Sequence, residues 1–186
     1  MKPIQLILII LFMATLSACG WHLRGSVALP ETLQTISLTQ QNIDPVLSQT
    51  IRRNFEANNI QFATLEYASY ALTLSDQKEE RRVSAVSSDG LAERISLSIS
   101  VNFLLQDKEG LTIGKPSVIT VSRSYGFDRQ NVAGKNAEEQ LVKTELRNEL
   151  AQQILRRYRF VALNRENDPQ EVSPPVETLN PANASQ

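Results

Sequence analysis

The chain has one cysteine and one histidine in 186 residues. A single thiol rules out an internal disulfide, and with one imidazole beside it the usual zinc and iron–sulfur ligand sets cannot be assembled. A Ser-His or Cys-His nucleophilic pair would have to use His22, only three residues from Cys19. No P-loop, GxGxxG or HExxH pattern occurs, so nucleotide and metalloprotease chemistry lack their usual motifs. Aromatics are scarce at 6%, and 7 Gly and 8 Pro are too few for a collagenous or wholly disordered chain. Excess charge is missing too: 19 Lys and Arg against 20 Asp and Glu leave a formal net of −1, and no broad basic face for nucleic acid is expected. Adjacent carboxylates at Glu79-Glu80 and Glu138-Glu139 lie in charged segments, where solvation is expected rather than acid–base work. The expectation is a protein without catalytic residues, metal or cofactor.

The one long hydrophobic run is at the start. Ile4 to Leu16 follows Lys2 and spans 13 residues. As a helix that is about 20 Å, short of the ~30 Å hydrocarbon core, which suits an export signal better than a permanent span. Leu16-Ser17-Ala18-Cys19 ends it with small residues before a cysteine, a pattern that resembles the bacterial lipobox. The resemblance implies a signal peptide over residues 1–18 and a lipidated Cys19. Two or more acyl chains, at about 0.8 kcal/mol per buried methylene, give stable anchoring. Gly20 in place of Asp implies, by analogy with such lipoproteins, outer-membrane rather than inner-membrane residence.

At the other end, residues 164–186 hold four prolines, no aromatic residue and a net charge of −3, and are expected to form a disordered tail. Residues 19–163 should form one domain. Within it, Leu33 to Leu38 is a weak strand. Asp44-Pro45 opens a helix, with Leu47, Ile51 and Phe55 on its buried stripe and Asn58-Asn59 as its stop. Tyr70, Leu72 and Leu74 alternate as a strand that runs into Lys78-Glu79-Glu80-Arg81-Arg82, with a further strand expected to begin at Val83 and a turn at Ser88-Asp89-Gly90. In Arg94 to Gln106, Ile95, Leu97, Ile99, Val101, Phe103 and Leu105 share one face and Ser96, Ser98, Ser100 and Asn102 the other. Val118 to Tyr125 should return antiparallel beside it. Asn136 and Glu139 have capping-box spacing. Val142, Leu146, Leu150, Ile154 and Tyr158 then recur every fourth residue, widened by Leu141, Ala151 and Leu155, with Arg156, Arg157 and Arg159 in the last turn.

The fold class expected is α+β, with two helices packed on one face of a mostly antiparallel sheet of four to five strands. The other face carries Ser96, Ser98, Ser100, Thr120 and Ser122. These hydroxyls suit either water or the polar wall of another protein.

The lipobox, the start Cys19-Gly20-Trp21-His22-Leu23-Arg24-Gly25, the Leu29-Pro30 step and the strand–helix–strand order resemble the LPS-assembly lipoprotein family (LptE, formerly RlpB). Ser122-Arg123-Ser124-Tyr125, Asp128 and Lys135 to Leu155 extend the likeness. The resemblance implies a non-enzymatic outer-membrane lipoprotein. It would sit in a 1:1 complex inside the lumen of the LptD β-barrel, assist the barrel's assembly and help transfer lipopolysaccharide to the outer leaflet. It also implies a lipopolysaccharide contact at Lys135. A second family contact falls at Ser88, where this chain lacks the basic residue, leaving Arg81, Arg82 or Arg129 to compensate. A free-standing lipoprotein that binds a soluble periplasmic ligand or acts as a scaffold is the alternative.

Overall fold

The computed structural model describes residues 30–86, 88, 92–126 and 132–167. A 3-10 turn, Glu31–Leu33, leads into β1 (Thr35–Gln41), followed by α1 (Pro45–Glu56), β2 (Gln61–Phe62), β3 (Tyr70–Val86), β4 (Ala92–Asp107), β5 (Ser117–Gly126) and α2 (Val132–Asn167). The sheet order is β2-β1-β3-β4-β5. The long β3–β4–β5 ladders are antiparallel, and β1 pairs parallel with both β2 and β3 at one edge. Both helices contribute to the single hydrophobic cluster on one face of this sheet, as the α+β reading expects.

Helix α1 starts where its chemistry dictates. The Asp44 carboxylate accepts from the Val46 and Leu47 amides at 2.9 and 3.2 Å, and Pro45 occupies the first turn, where its missing N–H costs nothing. Leu47, Ile51 and Phe55 are fully buried. The helix stops at Asn58-Asn59, with Asn59 at φ 60° and the Ile60 amide donating back to the Phe55 carbonyl.

On β4 all six alternating apolar residues are buried, none more than 4% exposed, which fixes the register: a one-residue slip would turn every one of them to water. On α2 the stripe from Val142 to Tyr158 is buried, joined by Ala151, Leu155, Val161 and Ala162. Leu141, expected to widen that stripe, is instead 60% exposed, because it lies off the core-facing side.

Three boundaries differ from the sequence reading. Strand β3 does not break in the charged cluster but runs unbroken to Val86, since Lys78 to Val83 pair with Ile95 to Ser100 of β4. A bulge at Asp76-Gln77 resets its register. Helix α2 begins at Val132, so Asn136 lies inside it rather than capping it. The helix also continues to Asn167, into the first residues of the expected tail, and its last turn carries Arg165 instead of Arg156, Arg157 and Arg159. Contacts explain that extension. Thr32 donates to Glu166 at 2.9 Å and Arg165 lies 3.8 Å from Asp107, so the final turns are held by the 3-10 turn and the end of β4.

Candidate functional site

The bulge in β3 divides the sheet. Up to Ser75 the strand is flanked by β1, and beyond it β3 is an edge strand, paired only with β4 among the described residues. Asn42 and Asp76 both adopt left-handed backbone (φ 54° and 53°), and Asp76 accepts hydrogen bonds from Asn42, Ser75 and Asn102. Those bonds, Asn42's foremost, hold its carboxyl below the usual carboxylate range. The Asp44 amide donates to Gln77 at 2.9 Å, which fixes the start of α1 to the bulge.

Beyond the bulge the period-two alternation sends Glu79 and Arg81 toward α2, and Lys78, Glu80 and Arg82 to the opposite face. The α2 side is stitched by charge. Arg81 Nε lies 3.4 Å from Glu139, Lys143 lies 3.3 Å from the same carboxylate, Arg147 pairs with Glu79 at 3.6 Å, and Arg123 bridges Glu145 and Glu149 at 2.8 and 3.5 Å. Glu139 also accepts the Tyr125 hydroxyl at 2.5 Å. That hydrogen bond is the main reason its pKa is lowered, while burial, then the bond to Glu139, raises the Tyr125 phenol. A crevice of about 190 Å³ opens here, with Arg81, Glu139 and Lys143 over an apolar floor of Leu97, Ile99 and Leu146.

The opposite face of the sheet is a polar wall. Cross-strand register places Ser96, Ser98, Ser100 and Asn102 beside Ser124, Ser122, Thr120 and Val118 of β5 on one side. On the other side lie Arg82, Glu80, Lys78 and Ser75 of β3. Thr39, level with Thr73, carries the hydroxyls onto β1. Leu104 and Val118 are its apolar interruptions, in a shallow depression near Pro116.

The residues singled out in the sequence are distributed unevenly over this geometry. Arg81 lies in the crevice. Arg82 is on the polar wall, 2.6 Å from Glu80. Lys135 falls in the first turns of α2, one helical turn before Glu139, and its side chain lies outside the described residues. Cys19, Arg129, Asp128 and the start of the Ser88 turn segment's partners, Asp89 and Gly90, lie outside them as well. Ser88 itself is exposed. Arg123 and Glu139 are the members that the sequence reading missed as a pairing layer. Arg123 sits on the inward register of Val121 and Tyr125, so strict period-two reading would have turned it toward the helix. Among the described residues no group of acidic, His or Cys side chains is placed to hold a metal ion, and no helix is long and apolar enough to cross a membrane.

Comparison with known proteins adds three findings. A family model described as LptE, lipopolysaccharide-assembly, matches residues 33–158. Curated relatives named LPS-assembly lipoprotein LptE include one from Photorhabdus laumondii, 27% identical over 143 residues (75% of this chain and 76% of the relative). Another, from Pectobacterium atrosepticum, is 27% identical over 146 residues (76% and 77%). Among solved structures, a minor lipoprotein from Acinetobacter baumannii matches with TM-score 0.58 and 26% identity, covering 73% of this chain and 96% of that one. Rare lipoprotein B from Shewanella oneidensis shares the fold at TM-score 0.62 and 22% identity, covering 71% and 98%. With the family model spanning most of the sheet and both helices, the chain belongs to the lipopolysaccharide-assembly LptE family of lipoproteins.

Proposed function

We propose that the protein is a non-catalytic subunit seated inside the lumen of the LptD β-barrel in the outer membrane, where it supports the barrel's maturation and helps pass lipopolysaccharide to the outer leaflet. The observation that carries this reading is the polar wall. A sheet face lined with Ser, Thr and Asn, with Asp76, Lys78, Glu80 and Arg82 as the formal charges along β3, suits the hydrated polar interior of a large barrel. Hydroxyls can exchange water for partner groups without the penalty of burying unpaired charge. Lipidation at Cys19 would hold the domain at the outer membrane, and its periplasmic side would receive the ligand.

Lipopolysaccharide presents phosphates beside acyl chains. Lys135 is the leading contact in this reading, with Arg81 second: Glu139, the partner of Arg81, is one helical turn beyond Lys135 in the sequence of α2. Arg129 is the remaining candidate, whereas Arg82 faces away from the crevice beside Glu80. The test is a photo-crosslinker at Ser98 or Ser122 in intact cells, followed by extraction in mild detergent. Capture of a very large β-barrel in a 1:1 complex is expected. A lone monomer with no crosslinked barrel would overturn the reading in favour of a free-standing lipoprotein. Lys135→Glu should weaken binding to purified lipopolysaccharide and leave the barrel complex intact, and unchanged affinity would remove Lys135 from the site.

A further inference from the structure

We propose that the cleft between the free edge of β5 and the C-terminal half of α2 binds the phosphate of a phosphorylated amphiphile. The cleft is open and large, about 600 Å³. Its helix wall is Gln153, Arg156, Arg157 and Phe160, spaced i, i+3, i+4, i+7, so they form one stripe beside the buried stripe of Leu150, Ile154 and Tyr158. Its strand wall is the outer edge of β5 from Ser117 to Thr120. Strand β5 pairs only with β4 among the described residues, so its outer backbone edge faces the same space.

Two features make this a place for an anion. Arg156 and Arg157 form no ion pair among the described residues, whereas Arg81, Arg82, Arg123, Arg147 and Arg165 all have a carboxylate within 4 Å. The carboxylates of α2 that face the sheet, Glu139, Glu145 and Glu149, lie toward its N-terminal half and are taken up there. Furthermore, Arg156 is exposed and Arg157 half-buried, and both line the open cleft, so their guanidinium groups can be reached by a ligand there. Guanidinium groups match a phosphate in geometry as well as charge, through parallel N–H···O bonds.

The rim specifies the rest of the ligand. Phe160 is 59% exposed, so apolar surface borders the cationic floor and suits an acyl chain rather than free phosphate. The cleft is separate from the Lys135 region: 22 residues of continuous helix put Lys135 and Arg157 about 33 Å apart. It is also independent of whether the polar wall meets a barrel.

The test uses purified full-length protein in a neutral detergent, titrated with dihexanoyl phosphatidic acid, dihexanoyl phosphatidylcholine and inorganic phosphate. Phosphatidic acid should bind, phosphatidylcholine should not, and inorganic phosphate should compete only weakly. Arg156→Gln with Arg157→Gln should weaken phosphatidic acid binding about tenfold or more. Phe160→Ser should weaken it severalfold without altering competition by phosphate, and Lys78→Gln, on the opposite face of the sheet, should leave it unchanged. Unfolding curves confirm that each variant is folded. Should the double variant fail to fold, Arg156→Gln alone, at an exposed position, serves the same comparison. Wild-type affinity in the arginine variants would overturn the site. Equal affinity for inorganic phosphate and phosphatidic acid would overturn the amphiphile. Loss of binding in Lys78→Gln would move the ligand to the polar wall.

Discussion

Removing one oxygen from Tyr158 should measurably loosen the domain. Its ring is fully buried, 5.9 Å from Phe55 and edge-on to Tyr70 at 6.5 Å, and its hydroxyl donates to the Leu33 carbonyl at 2.8 Å. That bond joins residues 125 apart in sequence and ties α2 to the 3-10 turn that feeds β1. Tyr158→Phe keeps the ring and deprives a buried carbonyl of this donor, which should cost about 1–2 kcal/mol. Tyr158→Ala also empties the space between Phe55 and Tyr70, and the total should reach about 3–5 kcal/mol. For a domain of this size each kcal/mol corresponds to about 2–4 °C in Tm. Urea unfolding followed by far-UV circular dichroism separates the two steps, since the m-value should stay constant while the midpoint falls in sequence. Burial also raises the Tyr158 phenol far above its ordinary 10.0. The unfolded chain therefore ionises first: the stability tied to this proton is complete below pH 10 and is lost as pH climbs beyond it. Absorbance at 295 nm should accordingly show Tyr158 ionising only as the domain unfolds. A Tyr158→Phe protein with the wild-type midpoint, or an Ala variant no weaker than the Phe variant, would refute the reasoning.

Three further substitutions probe other parts of the fold. Glu139→Gln should cost about 1–2 kcal/mol at pH 7 through lost charge-assisted bonds to Tyr125, Arg81 and Lys143. Because the folded pKa lies below the ordinary 4.5, the wild-type advantage should be complete above that pH and disappear as pH falls through the folded value, which unfolding curves at several pH values would show. Gly114→Ala should cost about 1–2 kcal/mol, since φ is +66° and a new Cβ would sit 3.1 Å from a Val161 methyl; adding Val161→Ala should relieve the crowding and not the backbone strain, as read by Tm. Leu97→Asp puts a charge at a site 4% exposed and should abolish the cooperative transition in circular dichroism.

The parts of the fold legible in the sequence are those whose side chains must be buried on one side. Strand β4 and the middle of α2 carry a strict apolar period because each has one dry face, and α1 announces itself through Asp44-Pro45. Strand β3 beyond Ser75 is different. It is held by its backbone ladder to β4, and an edge strand with exposed side chains needs no hydrophobic alternation, so Lys78 to Arg82 gave no strand signal. The bulge at Asp76-Gln77 hid it further by shifting the period. Parallel pairing of β1 with β3 depends on the path of the chain through α1, which local pattern does not encode. The end of α2 was missed for a related reason: Arg165 and Glu166 look like tail composition, and their tertiary partners Asp107 and Thr32 are more than fifty residues away. In the candidate site, sequence adjacency was misleading, since it grouped Arg81 and Arg82.

Neighbours on a strand point to opposite faces, so Arg81 and Arg82 cannot serve one phosphate. Arg81 faces α2 at the crevice, and Arg82 lies on the polar wall beside Glu80. Nor does the Arg81–Glu139 pair withhold Arg81 from a ligand. Its separation is 3.4 Å and the arginine side chain is 49% exposed, a setting in which an ion pair contributes about 0–1 kcal/mol. Glu139 would keep Tyr125 and Lys143 if Arg81 turned away, so this carboxylate would not be stranded. A phosphate, with two charges and three acceptor oxygens, can outcompete so weak a partner. The crevice reading therefore separates the two arginines: Arg81→Gln should weaken lipopolysaccharide binding in the same direction as Lys135→Glu, and Arg82→Gln should leave it unchanged. Titration of the two variants with purified lipopolysaccharide decides the matter, and equal losses in both would mean that the ligand is held by diffuse charge along β3 instead of by the crevice.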